Sequence, residues 1–295
     1  MGAAAALGTA FFAAGTNLLL RRQVAQLGGA TAQTWRAVVG TLLFLIIFLA
    51  FRDPRQLLAL PIGAVAVLLT SVLLNMVIGD LLQYAAITRL GIALAMPIVC
   101  SYPLVTLLIA SVTLAEIPTP LAAAGTVLVV GGVILVALPR RTIAASGDKR
   151  HLAPAGHWVG VALALASAAC MAVATILTRV ALNEIDILAA NMLRLPFGAL
   201  LCAIISVLQR RQPPWQVARQ NLVPLCLSGI TGLGSSICFL AAIQLVGAAT
   251  TATLNAAAPI FGLLGAVFFL GERPTRRNVV GTLIAFVGIT LVVRA

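Results

Sequence analysis

Apolar residues fall in stretches long enough to cross a membrane, broken by short junctions that carry Arg, Gly or Pro. A bilayer core takes about 20 apolar residues per helix. That length predicts spans at residues 3–20, 33–51, 63–87, 92–113, 119–138, 157–178, 188–208, 223–245, 248–270 and 277–294. The runs are continuous, whereas barrel strands would alternate apolar with polar positions. Only Thr88-Arg89-Leu90-Gly91 separates the third span from the fourth. Residues 141–156, which include Ser146-Gly147-Asp148-Lys149-Arg150, form the one substantial polar stretch, a linker between units at residues 1–140 and 157–295.

The two units repeat one another. Gly91, Pro103, Leu114, Glu116, Pro118, Thr119, Gly125, Thr126 and Gly132 recur at a constant offset as Gly247, Pro259, Leu270, Glu272, Pro274, Thr275, Gly281, Thr282 and Gly288. Roughly 15 of 49 positions agree over this stretch, and Glu and Pro are too scarce here for shared apolarity to explain it. With the offset changed by two residues, Arg21, Gln33, Arg36 and Gly40 match Arg179, Asn191, Arg194 and Gly198. Leu245-Val246-Gly247 then sits at the joint that Leu90-Gly91 marks in the first unit, which fixes the boundary between the third and fourth spans. Five spans is an odd number, so the second unit enters the membrane from the opposite side. The expected fold class is an all-α integral membrane protein, with ten transmembrane helices as two inverted five-helix repeats.

Composition agrees: with 61% hydrophobic residues, 9% charged residues and a mean hydropathy of +1.11, the chain cannot make a water-soluble surface. The net charge of +12 does not point to nucleic acid, because the arginines are dispersed at span ends. Arg21, Arg22, Arg89, Arg140, Arg141, Lys149, Arg150, Arg210, Arg211, Arg219, Arg273, Arg276 and Arg277 fall on one face, against Arg52, Arg55, Arg179 and Arg294 on the other. The positive-inside rule makes the first face cytoplasmic and places both termini outside, for a multi-pass protein of the cell inner membrane. Cys100, Cys170, Cys202, Cys226 and Cys238 lie in apolar segments without metal-ligand spacing, and read as packing residues. His151 and His157 flank the end of the linker and read as solvated. No basic leader with a cleavage site precedes the first span, so a cleaved signal peptide is not expected. There is no Gly-x-x-x-x-Gly-Lys loop, and neither a cofactor nor a metal is expected.

The series Gly79-Asp80-Leu81-Leu82-Gln83-Tyr84-Ala85-Ala86, Leu90-Gly91, Ser101-Tyr102-Pro103-Leu104 and Leu114-Ala115-Glu116, followed by the helix from Gly125 to Gly132, has a second copy. It runs Phe239-Leu240-Ala241-Ala242, Ala258-Pro259-Ile260 and Leu270-Gly271-Glu272-Arg273, then Gly281 to Gly288. Over nearly the whole chain these residues resemble the drug/metabolite transporter superfamily, in its ten-helix form built from two EamA domains. The first copy departs from the Leu-Gly-Glu motif, with Ala115 in place of Gly. The resemblance implies a secondary transporter of small organic solutes, often an exporter of amino acids or other metabolites, and does not name the solute. It also implies cytoplasmic termini in many relatives, against the charge count.

Asp80 is the one carboxylate well inside a predicted span, where ionised burial costs about 2.5–3.5 kcal/mol on insertion scales. Helical spacing puts Met76, Asp80, Gln83 and Tyr84 on one face. That face suits proton coupling through Asp80 or a substrate amine. The competing reading is a structural ion pair between Asp80 and Arg36, which lie at similar depths. Arg194 repeats Arg36, but Ser236 stands at the position of Asp80. Arg194 is therefore a candidate for an anionic solute group, unless it snorkels to water. Asn191, Arg194, Gly198 and Cys202 share a face, mirrored by Gln33, Arg36 and Gly40, and Thr251, Asn255, Pro259 and Gly262 form another. Pro103 and Pro259 each free a backbone carbonyl, as hinges or as static kinks. Tyr102 is a further pocket candidate, with Thr16, Asn17, Thr175 and Thr178 behind it. Glu116 and Glu272 belong to opposite membrane faces, so they read as anchors or gate elements, not as a catalytic pair. The glycine-rich last helix of each unit suits close packing or dimerisation.

The function expected from these residues is secondary active transport of small organic metabolites, most of all export of amino acids or related zwitterions. Access would alternate around a cavity between the repeats, with proton coupling as one option. Aromatic residues make up 5% of the chain, which favours a polar site over an aromatic cage. The expected partners are the small-molecule solute and the lipid bilayer, not nucleic acid, with the chain a monomer or a homodimer. A channel or a structural membrane partner without coupled transport is the alternative. An enzyme acting on lipid fits poorly, since no His lies in the interior of a span.

Overall fold

The computed structural model describes residues 1–27, 29–90, 92–114, 118–137, 154–208, 219–270 and 275–295. Glu116, Glu272, Gly91 and most of the linker lie outside them. Helices α1 (Gly2–Leu27) and α2 (Gly29–Phe51) form the first two spans. The third runs unbroken from α3 (Ile62–Val72) through a π-helical segment (Leu73–Gly79) into α4 (Asp80–Leu90). The fourth is divided into α5 (Ile92–Val99) and α6 (Tyr102–Thr113), and α7 (Pro120–Ala137) is the fifth. The second half comprises α8 (Pro154–Ala181), α9 (Ile187–Leu208), α10 (Arg219–Asn255), α11 (Ala258–Leu270) and α12 (Arg276–Arg294). No strand occurs among the described residues. With 37 residues α10 is too long for one crossing; it holds the eighth span and the start of the ninth. The division falls at Gly247, whose φ of 81° and ψ of 172° are open to glycine and strained for other residues.

Packing follows the repeat. α1 lies along α10 as α8 lies along α3 and α4; α11 packs on α1 as α6 packs on α8; α2 meets α9 and α7 meets α12. Exchanging the two halves maps this set of neighbours onto itself. Single bonds obey the same exchange: Ser235 Oγ donates to the Thr9 carbonyl at 3.2 Å, and Ser167 Oγ to the Gly79 carbonyl at 2.9 Å. Ser167 occupies the repeat position of Thr9, and Ser235 that of Gly79.

Equivalent helices run antiparallel. Thr31 near the start of α2 shares a 2.7 Å hydrogen bond with Ser206 near the end of α9, while Arg52 beyond α2 pairs at 3.5 Å with Asp186 before α9. In the other pair Gly125 faces Gly288 and Gly132 faces Gly281. A Cβ on Gly132 would stand 2.5 Å from the Gly281 carbonyl oxygen, and one on Gly288 would stand 2.7 Å from that of Gly125. Glycine at these four places lets the two backbones touch. Antiparallel contact between repeat-equivalent helices is the geometry of inverted repeats. The same threonine opens each of these helices: the Ala122 amide donates to Thr119 Oγ1 at 3.1 Å and the Asn278 amide to Thr275 Oγ1 at 3.3 Å. Outward faces carry exposed large apolar side chains, among them Leu42, Ile46 and Leu49 on α2 and Leu283, Phe286 and Val287 on α12, as a lipid surround requires.

Candidate functional site

A cavity of about 330 Å³ lies between the repeats, at the small end of the range for small-molecule sites. Its wall takes Thr9 from α1, Arg36 and Gly40 from α2, Asn75 and Met76 from the π-helical segment, Arg194 and Gly198 from α9, and Gly232, Ser235, Ser236, Phe239 and Asn255 from α10. The repeat-equivalent arginines therefore share one cavity, though their surroundings differ.

Around Arg194 the groups are neutral. Its guanidinium carbon lies 5.5 Å from the centroid of the Phe239 ring, a cation–π contact. Its Nη1 is buried without a hydrogen-bond partner. Ser236 Oγ donates to Asn191 Oδ1 at 2.6 Å, and the Asn191 Nδ2 atom has no partner. Asn191 is fully buried behind the wall. Phe239 stands at the repeat position of Gln83, as Ser236 stands at that of Asp80.

Arg36 lies against α10 where Gly232 leaves room; a Cβ on Gly232 would come within 3.2 Å of Arg36 Cγ and Cδ. Its Nε is buried and has no hydrogen-bond partner, as does Gln33 Oε1 one turn earlier. Asp80 and Cys202 interact with it electrostatically, yet no hydrogen bond or ion pair joins Arg36 to Asp80. Asp80 is absent from the cavity wall, although Met76 is part of it. The π-helical segment between them winds through i→i+5 bonds, so the side chains no longer keep the register of a straight α-helix. Gln83 directs Nε2 to Met96 Sδ at 3.5 Å, away from the wall, and the side chain of Tyr84 lies outside the described residues.

Both broken spans open at matching points. Cys100 and Ser101 interrupt the fourth span, and their equivalents Ala256 and Ala257 interrupt the ninth. Pro103 and Pro259 follow as the second residue of α6 and of α11, a position that needs no helical amide. The breaks are tied together: Tyr102 Oη donates to the Ala252 carbonyl at 3.2 Å and accepts from Asn255 Nδ2 at 3.3 Å. Asn255 Oδ1 has no partner and belongs to a cavity-wall residue. Thr16 bonds Thr231 at 2.8 Å and Thr178 bonds Ser71 at 3.1 Å, so these hydroxyls tie helices together and take no part in the wall. Thr175 bonds its own helix through the Met171 carbonyl, and Asn17 is exposed. Sequence reasoning missed Phe239, Gly232 and Asn75; the repeat column that sets Gln83 against Phe239 held the signal for the first of them.

A second cavity, of about 430 Å³, lies beside the Gly247 kink, lined by Thr119, Arg179, Gln244 and Thr250 among others. None of the residues with partnerless buried polar atoms lines it. Among the described residues, no group of three His, Cys, Asp or Glu side chains is placed to hold a metal ion.

The sequence matches the EamA-like transporter family twice, over residues 1–138 and 158–294. The chain belongs to this family. As an EamA-like protein it is a multi-pass membrane transporter of small solutes and not an enzyme. A solved crystal structure is similar in fold, with a TM-score of 0.77 at 17% identity over 97% of this chain and 94% of its own. A search of curated proteins finds no match to the chain.

Proposed function

We propose that this EamA-like protein is a secondary active exporter of amino acids or related zwitterions, with its solute site in the central cavity. One observation carries the reading: Arg194, with a partnerless buried donor, and Asn255, with a partnerless buried acceptor, line the same cavity. An unsatisfied buried polar group costs about 1–3 kcal/mol, and a solute that satisfies both recovers that cost. A zwitterion offers a carboxylate to the Arg194 guanidinium and an ammonium to Asn255 Oδ1. Phe239 holds the guanidinium from one side without competing for its hydrogen bonds.

Inverted halves that meet along two antiparallel pairs can rock about those pairs and open the cavity to each face in turn. The breaks before Pro103 and Pro259 supply hinge points beside the site. Asp80, close enough to interact with Arg36, is the group through which a proton would couple to this motion.

The test is export from cells that overproduce the protein. Amino acids should accumulate outside these cells relative to cells making Arg194→Gln at the same membrane level. Equal extracellular amino acids in both would overturn the reading.

A further inference from the structure

The cavity wall holds two guanidinium groups and, among its residues, no carboxylate. A neutral zwitterion answers only one of the two. Arg36 stands at the repeat position of Arg194, reaches the same cavity and keeps a partnerless buried Nε. Its counter-charge, Asp80, begins α4 outside the wall, within electrostatic reach but without a hydrogen bond to it. Asp80 responds to Arg36, while Arg36 responds to Asp80 and to Cys202 of α9.

We infer that Arg36 is a second anion-binding group, shared between Asp80 and the solute, so that solutes with two acidic groups bind best when Asp80 is protonated. This rests on the reading of the cavity as the solute site. With Asp80 ionised, the Arg36–Asp80 couple is neutral and the cavity offers one net positive charge, on Arg194. With Asp80 protonated from water, it offers two. A second carboxylate on the solute then takes over the charge that Asp80 gave up. Proton uptake and binding of the second acidic group favour each other, because each stabilises the state the other needs. Solutes with one carboxylate leave Arg36 to Asp80, so their binding step does not draw on that proton. Gly232 matters to this arrangement, since any side chain there would crowd Arg36 where it enters the wall.

Purified protein in proteoliposomes, titrated with glutamate and with leucine at pH 8 and pH 6, tests the inference. Both solutes keep their charges over that interval. Wild type should bind glutamate more tightly at pH 6 than at pH 8, and leucine equally at both. Asp80→Asn should bind glutamate on the order of tenfold more tightly than wild type at pH 8, a usual size for coupling between two sites, with no pH dependence and unchanged leucine affinity. The double variant Arg36→Gln/Asp80→Asn, which removes both charges of the pair and so strands neither, should lose the preference for glutamate and keep leucine. If Asp80→Asn binds glutamate no better than wild type, or glutamate affinity does not depend on pH, Arg36 serves Asp80 alone and the inference falls. Leucine binding that survives such a result leaves the zwitterion reading standing. If wild type binds neither solute, both readings fall.

Discussion

Two arginines in equivalent repeat positions meet different neighbours, and those neighbours set their roles. Arg36 and Asp80 interact electrostatically in the protein interior, where the loss of one member strands the other. Arg36→Ala should therefore lower the thermal unfolding temperature more than Arg36→Ala/Asp80→Ala does. Arg194 has Phe239 beneath it and no carboxylate. Arg194→Ala forfeits a cation–π contact worth about 0.5–2 kcal/mol, so its stability should fall little while its affinity for carboxylate solutes collapses. Equal stability losses for the two single variants, with unchanged affinity, would contradict this division. The contrast between the arginines was legible in the sequence, because Ser236 occupies the column of Asp80. The exclusion of Asp80 from the wall was not. Residue spacing assumes α-helical winding, and the i→i+5 turns of Leu73–Gly79 break that assumption without a marker in the residue types.

At the scale of helices, the contact between α7 and α12 gives a sharp prediction from adjacent residues. A Cβ at Gly132 would meet the Ala285 amide nitrogen and the Gly281 carbonyl at 2.5 Å, whereas one at Gly131 meets nothing within 4 Å. Gly132→Ala should destabilise the protein by roughly 1–3 kcal/mol or more through overpacking. Gly131→Ala should be neutral or stabilising by up to about 1 kcal/mol, from helix propensity. Thermal unfolding in one detergent decides between them, and equal effects would contradict the antiparallel contact. The recurrence of these glycines, of the capping threonines and of Pro103 with Pro259 was readable because both halves keep them. The bridge from Tyr102 to Asn255 was hidden for the opposite reason. The repeat sets Ala258 against Tyr102 and Val99 against Asn255, so comparison of the halves is silent there. Tyr102→Phe removes both its bonds and should cost about 1–3 kcal/mol, measurable in the same unfolding assay.

For the whole molecule, the number of spans and the inversion of the halves followed from apolar run lengths and an odd count per repeat. The side of the membrane rests on the distribution of Lys and Arg. In a Cys-depleted chain, a single Cys in the linker of residues 141–156 should resist an impermeant thiol reagent in intact cells, and one added at the C-terminus should react. The reverse labelling would turn the protein over without altering its fold.

Alternating access around a solute held by Arg194 is tested most directly by counterflow. Proteoliposomes preloaded with unlabelled amino acid and diluted into a trace of the labelled solute should accumulate label transiently above its equilibrium level in wild type, and should show no such overshoot in Arg194→Gln. A channel gives no overshoot in either protein. Absence of the overshoot in wild type, or its full survival in Arg194→Gln, would contradict the account.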